Sequence, residues 1–228
     1  MPRSKPPIHY HGTPNRHLLR RGSCLWRVHP RPYAAFAFKS SISDALYGGA
    51  RFDATEADRY PYFYAGLSEK TALAETLLRG LESDDCGYRT VPRQEVSGRR
   101  LSGLTLIQDL NLVSLVSGED LAAVGQDAWL VTVPGHDYPQ TRDWAHWLRS
   151  QAMWAHGLIW DSLRDRGGLA VVLFGDRLAR DFGDDYEKTL LHEITELAVD
   201  LDGAAGAAWV NERLRRYWAV VPPPFPAA

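Results

Sequence analysis

Residues 60–80 read YPYFYAGLSEKTALAETLLRG. The aromatic-rich start, 60–67, suits a pleated and half-buried surface, so it is expected as a strand. Ser68 is a residue type whose side chain caps the first turn of a helix. It opens a helix over Glu69–Arg79, which Gly80 stops in the C′ position. Working outward, CLWRV (24–28) reads as an earlier strand, and LTLI (104–107) and LNLVSLV (110–116) as later ones. Ser117 to Val124 suggests a short helix. Thr141 caps a longer one carrying Trp144, Trp147, Leu148 and Trp154, closed by Gly157. GLIWDS (157–162) and GLAVVLFG (168–175) are two strands around a charged turn, Leu163–Gly167. The spacing of Leu190, Leu191, Ile194, Leu197, Ala198 and Leu201 predicts a helix from about Asp184 to Leu201. A final helix holds Trp209, Arg213, Leu214 and Tyr217. Strands and helices mix without strict βαβ alternation. The expected class is α+β, with a mixed or antiparallel β core and flanking helices.

The chain has 228 residues, enough for one large domain with a sizeable core. Its 45% hydrophobic and 24% charged content is that of a globular protein, which excludes fibrous and disordered classes. No apolar run approaches the ~20 residues that span a bilayer, and MPRSKPPIHYHG at the start lacks the apolar stretch of a secretory signal. Two cysteines, Cys24 and Cys86, without a CxxC motif are expected as reduced thiols, and a cytoplasmic location follows. Neither linker nor repeat is evident. The division is an irregular basic extension (1–22), one domain (23–221) and a Pro-rich tail (222–228).

Charge is unevenly spread. Residues 1–39 carry eight Lys or Arg and no acid, although the whole chain has net charge −2. A basic arm can serve a nucleic acid or lie on the acidic body of its own chain. The second reading is favoured, because the arm lacks interleaved aromatics and any DNA-binding motif. Direct nucleic-acid binding is therefore not expected.

There is no phosphate loop, no GxGxxG and no nucleophile elbow. Gly48-Gly49 lets backbone approach a ligand closely, and nearby Arg51 offers a planar fork to a phosphate or carboxylate. The alternative is a tight turn with a surface arginine. HEITE (192–196) starts like a zinc-protease motif but has Glu196 where the second histidine belongs, so an amphipathic helix is favoured over a metal site. Glu75, among Ala72, Ala74 and Leu78, lies near the core boundary or pairs with Arg79 at i,i+4. Periodicity does not choose between these. Ser162 ends a strand as a turn hydroxyl, and Tyr64 reads as a core aromatic.

Four segments carry a resemblance. LWRVHP (25–30), GGARFD (48–53), YAGLSEKTALAE (64–75) and GLIWDSLRDRGGLAVVLF (157–174) together resemble the RES domain family, named for an Arg, a Glu and a Ser. The family's tryptophan after the arginine is Phe52 here, and Ala50 separates the glycines from Arg51. The resemblance implies an ADP-ribosyltransferase-like fold and an NAD-degrading toxin of a bacterial toxin–antitoxin pair. It implies no cofactor, NAD being the substrate, and an antitoxin partner of the helix-turn-helix (Xre) type. A homo-oligomer is compatible with it, and a membrane partner is not expected. It also implies a site. Glu75 would face the oxocarbenium-like state, Arg51 and Arg27 the pyrophosphate, Tyr64 the nicotinamide or ribose, and Ser162 the ribose or carboxamide. The rival readings are an ADP-ribosyltransferase acting on a macromolecule and a non-catalytic binding protein on the same fold.

Overall fold

The computed structural model describes residues 4–224. Its elements run β1 (Arg16–Leu19), β2 (Cys24–Pro30), β3 (Tyr62–Gly66), α1 (Glu69–Leu77), β4 (Arg89–Thr90), β5 (Arg99–Leu106) and β6 (Leu110–Leu115). They continue as α2 (Gly118–Ala123), α3 (Trp129–Thr132), α4 (Tyr138–Gln151), β7 (Gly157–Asp161), β8 (Leu169–Phe174) and α5 (Gly175–Phe182). The last are α6 (Tyr186–Leu190), β9 (Leu191–Asp200), α7 (Gly203–Leu214) and β10 (Ala219–Val220). Eight strands form one sheet in the order β1-β6-β7-β8-β3-β2-β5-β9. Only β6 and β7 are parallel within it, so the sheet is mixed and the class is α+β. Among the described residues, no helix is long and apolar enough to cross a membrane.

Side-chain alternation divides the core. On β3, Tyr62 and Tyr64 point with Trp160, Val172 and Phe174 toward α4, where Trp144 and Leu148 are fully buried. Phe63 and Ala65 point the other way with Ile159, Val171 and Leu173 toward α5 and α6. A third cluster joins Leu73, Leu77 and Leu101 to Val210 and Leu214 of α7. Each fully buried Leu or Phe contributes about 1.5–3 kcal/mol by transfer from water. Gly66 lets β3 turn tightly into α1, since a Cβ there would lie 2.6 Å from the Ala72 nitrogen. Ser68 then caps α1 by accepting from Thr71 N at 3.1 Å.

Four expectations change. Residues 184–201 are not one helix: α6 ends at Leu190 and β9 takes the rest. β9 pairs with β5, but its register slips between Leu101 and Gly103, whose partners are Val199 and Ile194. This insertion breaks the two-residue period and spaces the apolar side chains as a helix would. The long helix begins at Tyr138 rather than at Thr141 and ends at Gln151, before Trp154 and Gly157. Thr141 is buried inside it and donates to the carbonyls of Arg51 and Tyr138. The final helix stops at Leu214, leaving Tyr217 in a 3-10 turn. The basic extension is not wholly irregular, because β1 within it joins the sheet.

That extension lies on its own chain. Arg20 and the Arg21 backbone meet Asp109, Asn15 meets Asp120, and Tyr10 donates to Ala123 O. Residues 1–3 of the extension and 225–228 of the Pro-rich tail lie outside the described residues.

Candidate active site

Between β2, β3, α1 and the start of α4 lies an open cleft. Arg27, Arg51, Tyr64 and Glu75 all line it. Lys39, Arg79, Trp26, Tyr62, Tyr138 and Trp160 add to the charged and aromatic wall.

Each residue of GGARFD has a physical job. Gly48 and Gly49 have φ of +61° and +73°, a region that L side chains resist. Any Cβ at Gly49 would also run into Ser43 and Arg142. Arg142, fully buried, donates to Gly48 O at 2.7 Å. Asp53 accepts from Ser43 Oγ (2.6 Å) and Ala50 N (2.8 Å) and so closes the turn. Phe52 packs edge-on against Trp160, their ring centres 5.2 Å apart. Arg51 is only 5% exposed. It donates to Leu130 O (3.1 Å) and Val133 O (3.3 Å), with its guanidinium 5.0 Å from the Tyr138 ring centre. Burial draws its pKa down, and the charges of Tyr138 and Glu75 oppose this. It is therefore neither a surface arginine nor an uncommitted one.

Arg27, on β2, donates to the carbonyls of Ala35 and Ala37 and lies over Phe63 at 4.6 Å. Burial lowers its pKa to about 10, against the pull of Glu187. Tyr64 accepts from Phe52 N at 3.0 Å. Burial raises its pKa well above the usual value and the Asp53 charge adds to this, so the phenol stays protonated at neutral pH.

Glu75 pairs across the cleft floor, not with Arg79 on the surface. Its Oε1 accepts from Ser162 Oγ at 2.6 Å, and its Oε2 from Arg164 Nη1 at 3.1 Å. The side chains of Arg164 and Glu75 are 14% and 19% exposed, so this is a partly buried ion pair. Ser162 is fully buried and does not line the cleft. Its oxygen accepts from the backbone nitrogens of Arg164 (3.2 Å) and Asp165 (3.0 Å), which spends both lone pairs and aims its proton at Glu75. It holds the carboxylate instead of facing the cleft. Asp165 in turn accepts from Thr71 Oγ1 (2.6 Å) and Tyr217 OH (2.5 Å), which ties this loop to α1 and to the C-terminal segment.

Sequence reasoning missed Lys39, Tyr138 and Trp160 as cleft residues and left Arg164 in a charged turn. Only Arg164 gave a signal, as a cation two residues after Ser162. Of the earlier motifs, HEITE lies on the strand β9 and not on a helix, and among the described residues no group of three or more His, Cys, Asp or Glu is placed to hold a metal ion.

The arrangement puts a fixed carboxylate on the floor of an aromatic, cationic cleft. Such a site can hold an anionic ligand with a planar ring and stabilise positive charge developing on it. Comparison with known structures found similar chains, among them one in the "Crystal structure of the M.tuberculosis MbcT-MbcA toxin-antitoxin complex". It aligns with a TM-score of 0.56 at 16% identity, over 86% of this chain and 91% of that one. The curated proteins gave no match. The RES domain model matches residues 24–202 and takes in every segment that builds the cleft, and the chain belongs to the RES domain family.

Proposed function

We propose that this protein is the toxin of a toxin–antitoxin pair and acts by cleaving the nicotinamide–ribose bond of NAD. The observation that carries the reading is the Glu75 carboxylate, held on both oxygens at the floor of a cationic cleft. Nicotinamide leaves as a neutral molecule, so departure needs little acid help. The difficulty is the positive charge that grows on the ribose ring as the bond breaks. A carboxylate already oriented toward that charge stabilises the transition state without reorganising. Ser162 and Arg164 supply the orientation. Arg27 and Arg51 place positive charge in the walls, and the protonated Tyr64 offers a ring face and a donor to the ribose. Water or phosphate entering the open cleft then captures the ribosyl cation. The MbcT-MbcA structure is that of a toxin–antitoxin complex. In our reading this chain too has an antitoxin, for which the RES resemblance implies the helix-turn-helix (Xre) type, covering the cleft.

The test is incubation of the pure protein with NAD, with and without phosphate, followed by product analysis. Free nicotinamide with ADP-ribose means hydrolysis, and phosphate-dependent ADP-ribose 1″-phosphate means phosphorolysis. Label transferred to protein or RNA means the transferase reading. Undiminished NAD under all conditions overturns the proposal.

A further inference from the structure

Four cations line the cleft, and they fall into two kinds. Arg27 and Arg51 are bound to main-chain carbonyls, two each, and hold the cleft walls in place. Lys39 and Arg79 are exposed at the rim. Among the described residues, neither has a carboxylate within 4.0 Å or a side-chain hydrogen bond. Each rests on an aromatic ring. Lys39 Nζ is 5.5 Å from the Tyr62 ring centre, and the Arg79 guanidinium is 5.8 Å from that of Tyr138.

We infer that Lys39 and Arg79, rather than Arg27 and Arg51, take the pyrophosphate of the dinucleotide and set the preference for a doubly anionic substrate. This rests on the NAD reading above. Among the described residues, the only carboxylate lining the cleft is Glu75, already matched by Arg164, so the rim cations are uncompensated until a ligand arrives. Contact of an exposed cation with a ring is weak and is readily exchanged for charge-assisted bonds to phosphate. Placement suits the exchange. Arg79 lies four residues after Glu75, just past the end of α1, and its guanidinium reaches over the Tyr138 ring in the wall of the same cleft. Lys39 is fixed on the other side of the cleft, because its backbone N–H and C=O both pair with Tyr62 at the head of β3. A ribose over Glu75 would thus carry its pyrophosphate between the two rim cations.

The experiment compares wild type, Lys39→Ala, Arg79→Ala and the double variant. The substrates are NAD and nicotinamide riboside, which has the scissile bond but no phosphate. Both side chains are exposed, so the variants should melt with the wild type. Each single change should raise KM for NAD about tenfold, the double change about a hundredfold, with kcat within a few-fold. Nicotinamide riboside should be cleaved equally by all four proteins. An unchanged KM for NAD, or an equal loss on the riboside, overturns the inference. Calorimetric titration with inorganic pyrophosphate separates this from the NAD reading. If wild type ignores NAD, that reading falls, and the rim is judged on pyrophosphate alone. Binding lost in the double variant supports it, and binding that persists or is absent from wild type overturns it.

Discussion

Replacing Glu75 by Gln tests the centre of the argument, and the structure sets the size of each consequence. Ser162 presents a proton to Oε1, because both lone pairs of its oxygen are engaged by the backbone of Arg164 and Asp165. The Gln carbonyl must therefore face Ser162. Its NH₂ group then points at Arg164 Nη1, where Glu75 Oε2 now accepts at 3.1 Å. A donor meets a donor, and a guanidinium whose side chain is 14% exposed loses its counter-charge. The cost is about 1–3 kcal/mol of stability, or a fall in Tm of about 2–12 °C for a chain of this size. The rate of NAD cleavage should fall about a hundred- to a thousand-fold, since the charge facing the oxocarbenium is gone. Nicotinamide release by the folded variant, measured well below its Tm, is the assay. A variant that keeps more than about a tenth of wild-type kcat would show that Glu75 is not the stabilising carboxylate. A variant that has lost its cooperative melt would place Glu75 in the fold rather than in the chemistry.

Other substitutions separate roles within the site. Ser162→Ala should lower kcat/KM about tenfold or more and cost about 1–3 kcal/mol, because one charge-assisted bond and two backbone partners vanish; wild-type kinetics would mean that Glu75 needs no such support. Arg51→Ala strips two carbonyls of their donor in a nearly closed site, so it should act first on stability, by about 2–3 kcal/mol. An unchanged thermal melt with weakened NAD binding would return Arg51 to the pyrophosphate. Tyr217→Phe removes the bond to Asp165 and should cost about 1 kcal/mol together with a several-fold loss of kcat, read by melting and turnover in parallel. His29, His146 and His156 all titrate below 6.5 in the folded protein, chiefly through burial. The unfolded chain binds their protons first, so their contribution is present above pH 6.5 and is lost as pH falls through the folded values. Tm should therefore drop between pH 7.5 and 5; a Tm that held or rose over that range would contradict this.

Much of the fold was legible where local rules act alone. Ser68 marks the start of α1, although the helix stops at Leu77 and not at Arg79 before Gly80, and the alternation in YFYAG separates two core faces. The long helix expected near the C-terminus failed for a definable reason. β9 is an edge strand that itself carries the extra residues of the register slip, and only its distant partner β5 shows that their spacing is a slip and not a helical turn; no window on one sequence contains both strands. The site followed the same division. Residues named by type (Arg27, Arg51, Tyr64 and Glu75) do meet in one cleft. Their partners could not be read, because each comes from a distant part of the chain. Glu75 finds Arg164 across 89 positions, and Arg51 finds Leu130 across 79. Ser162 was read as a group facing the ligand. The sequence names a hydroxyl but not its direction, which is set by two backbone donors of the following turn.

The motif segments end at residue 174 and the family match at 202, which by themselves would leave the last helix and strand outside the site. The hydrogen bonds argue otherwise. Asp165, in the turn that carries Ser162 and Arg164, is gripped by Thr71 of α1 and by Tyr217 beyond α7. Glu75 and Thr71 share α1, and α7 packs on α1 through Val210 and Leu214. Arg213 adds a bond to Glu69 in the first turn of α1. The helix with the carboxylate and the turn with its two donors are thus held by one C-terminal clamp. Alignment within hydrogen-bonding distance needs both to be fixed against each other, because a shift of about 1 Å can cost about a hundredfold in rate. The division of labour in the cleft then has a physical basis. The interior is rigid and bound to backbone, so it can stabilise a transition state without reorganising. The rim is exposed and weakly held, so it can close on a ligand that arrives from solution.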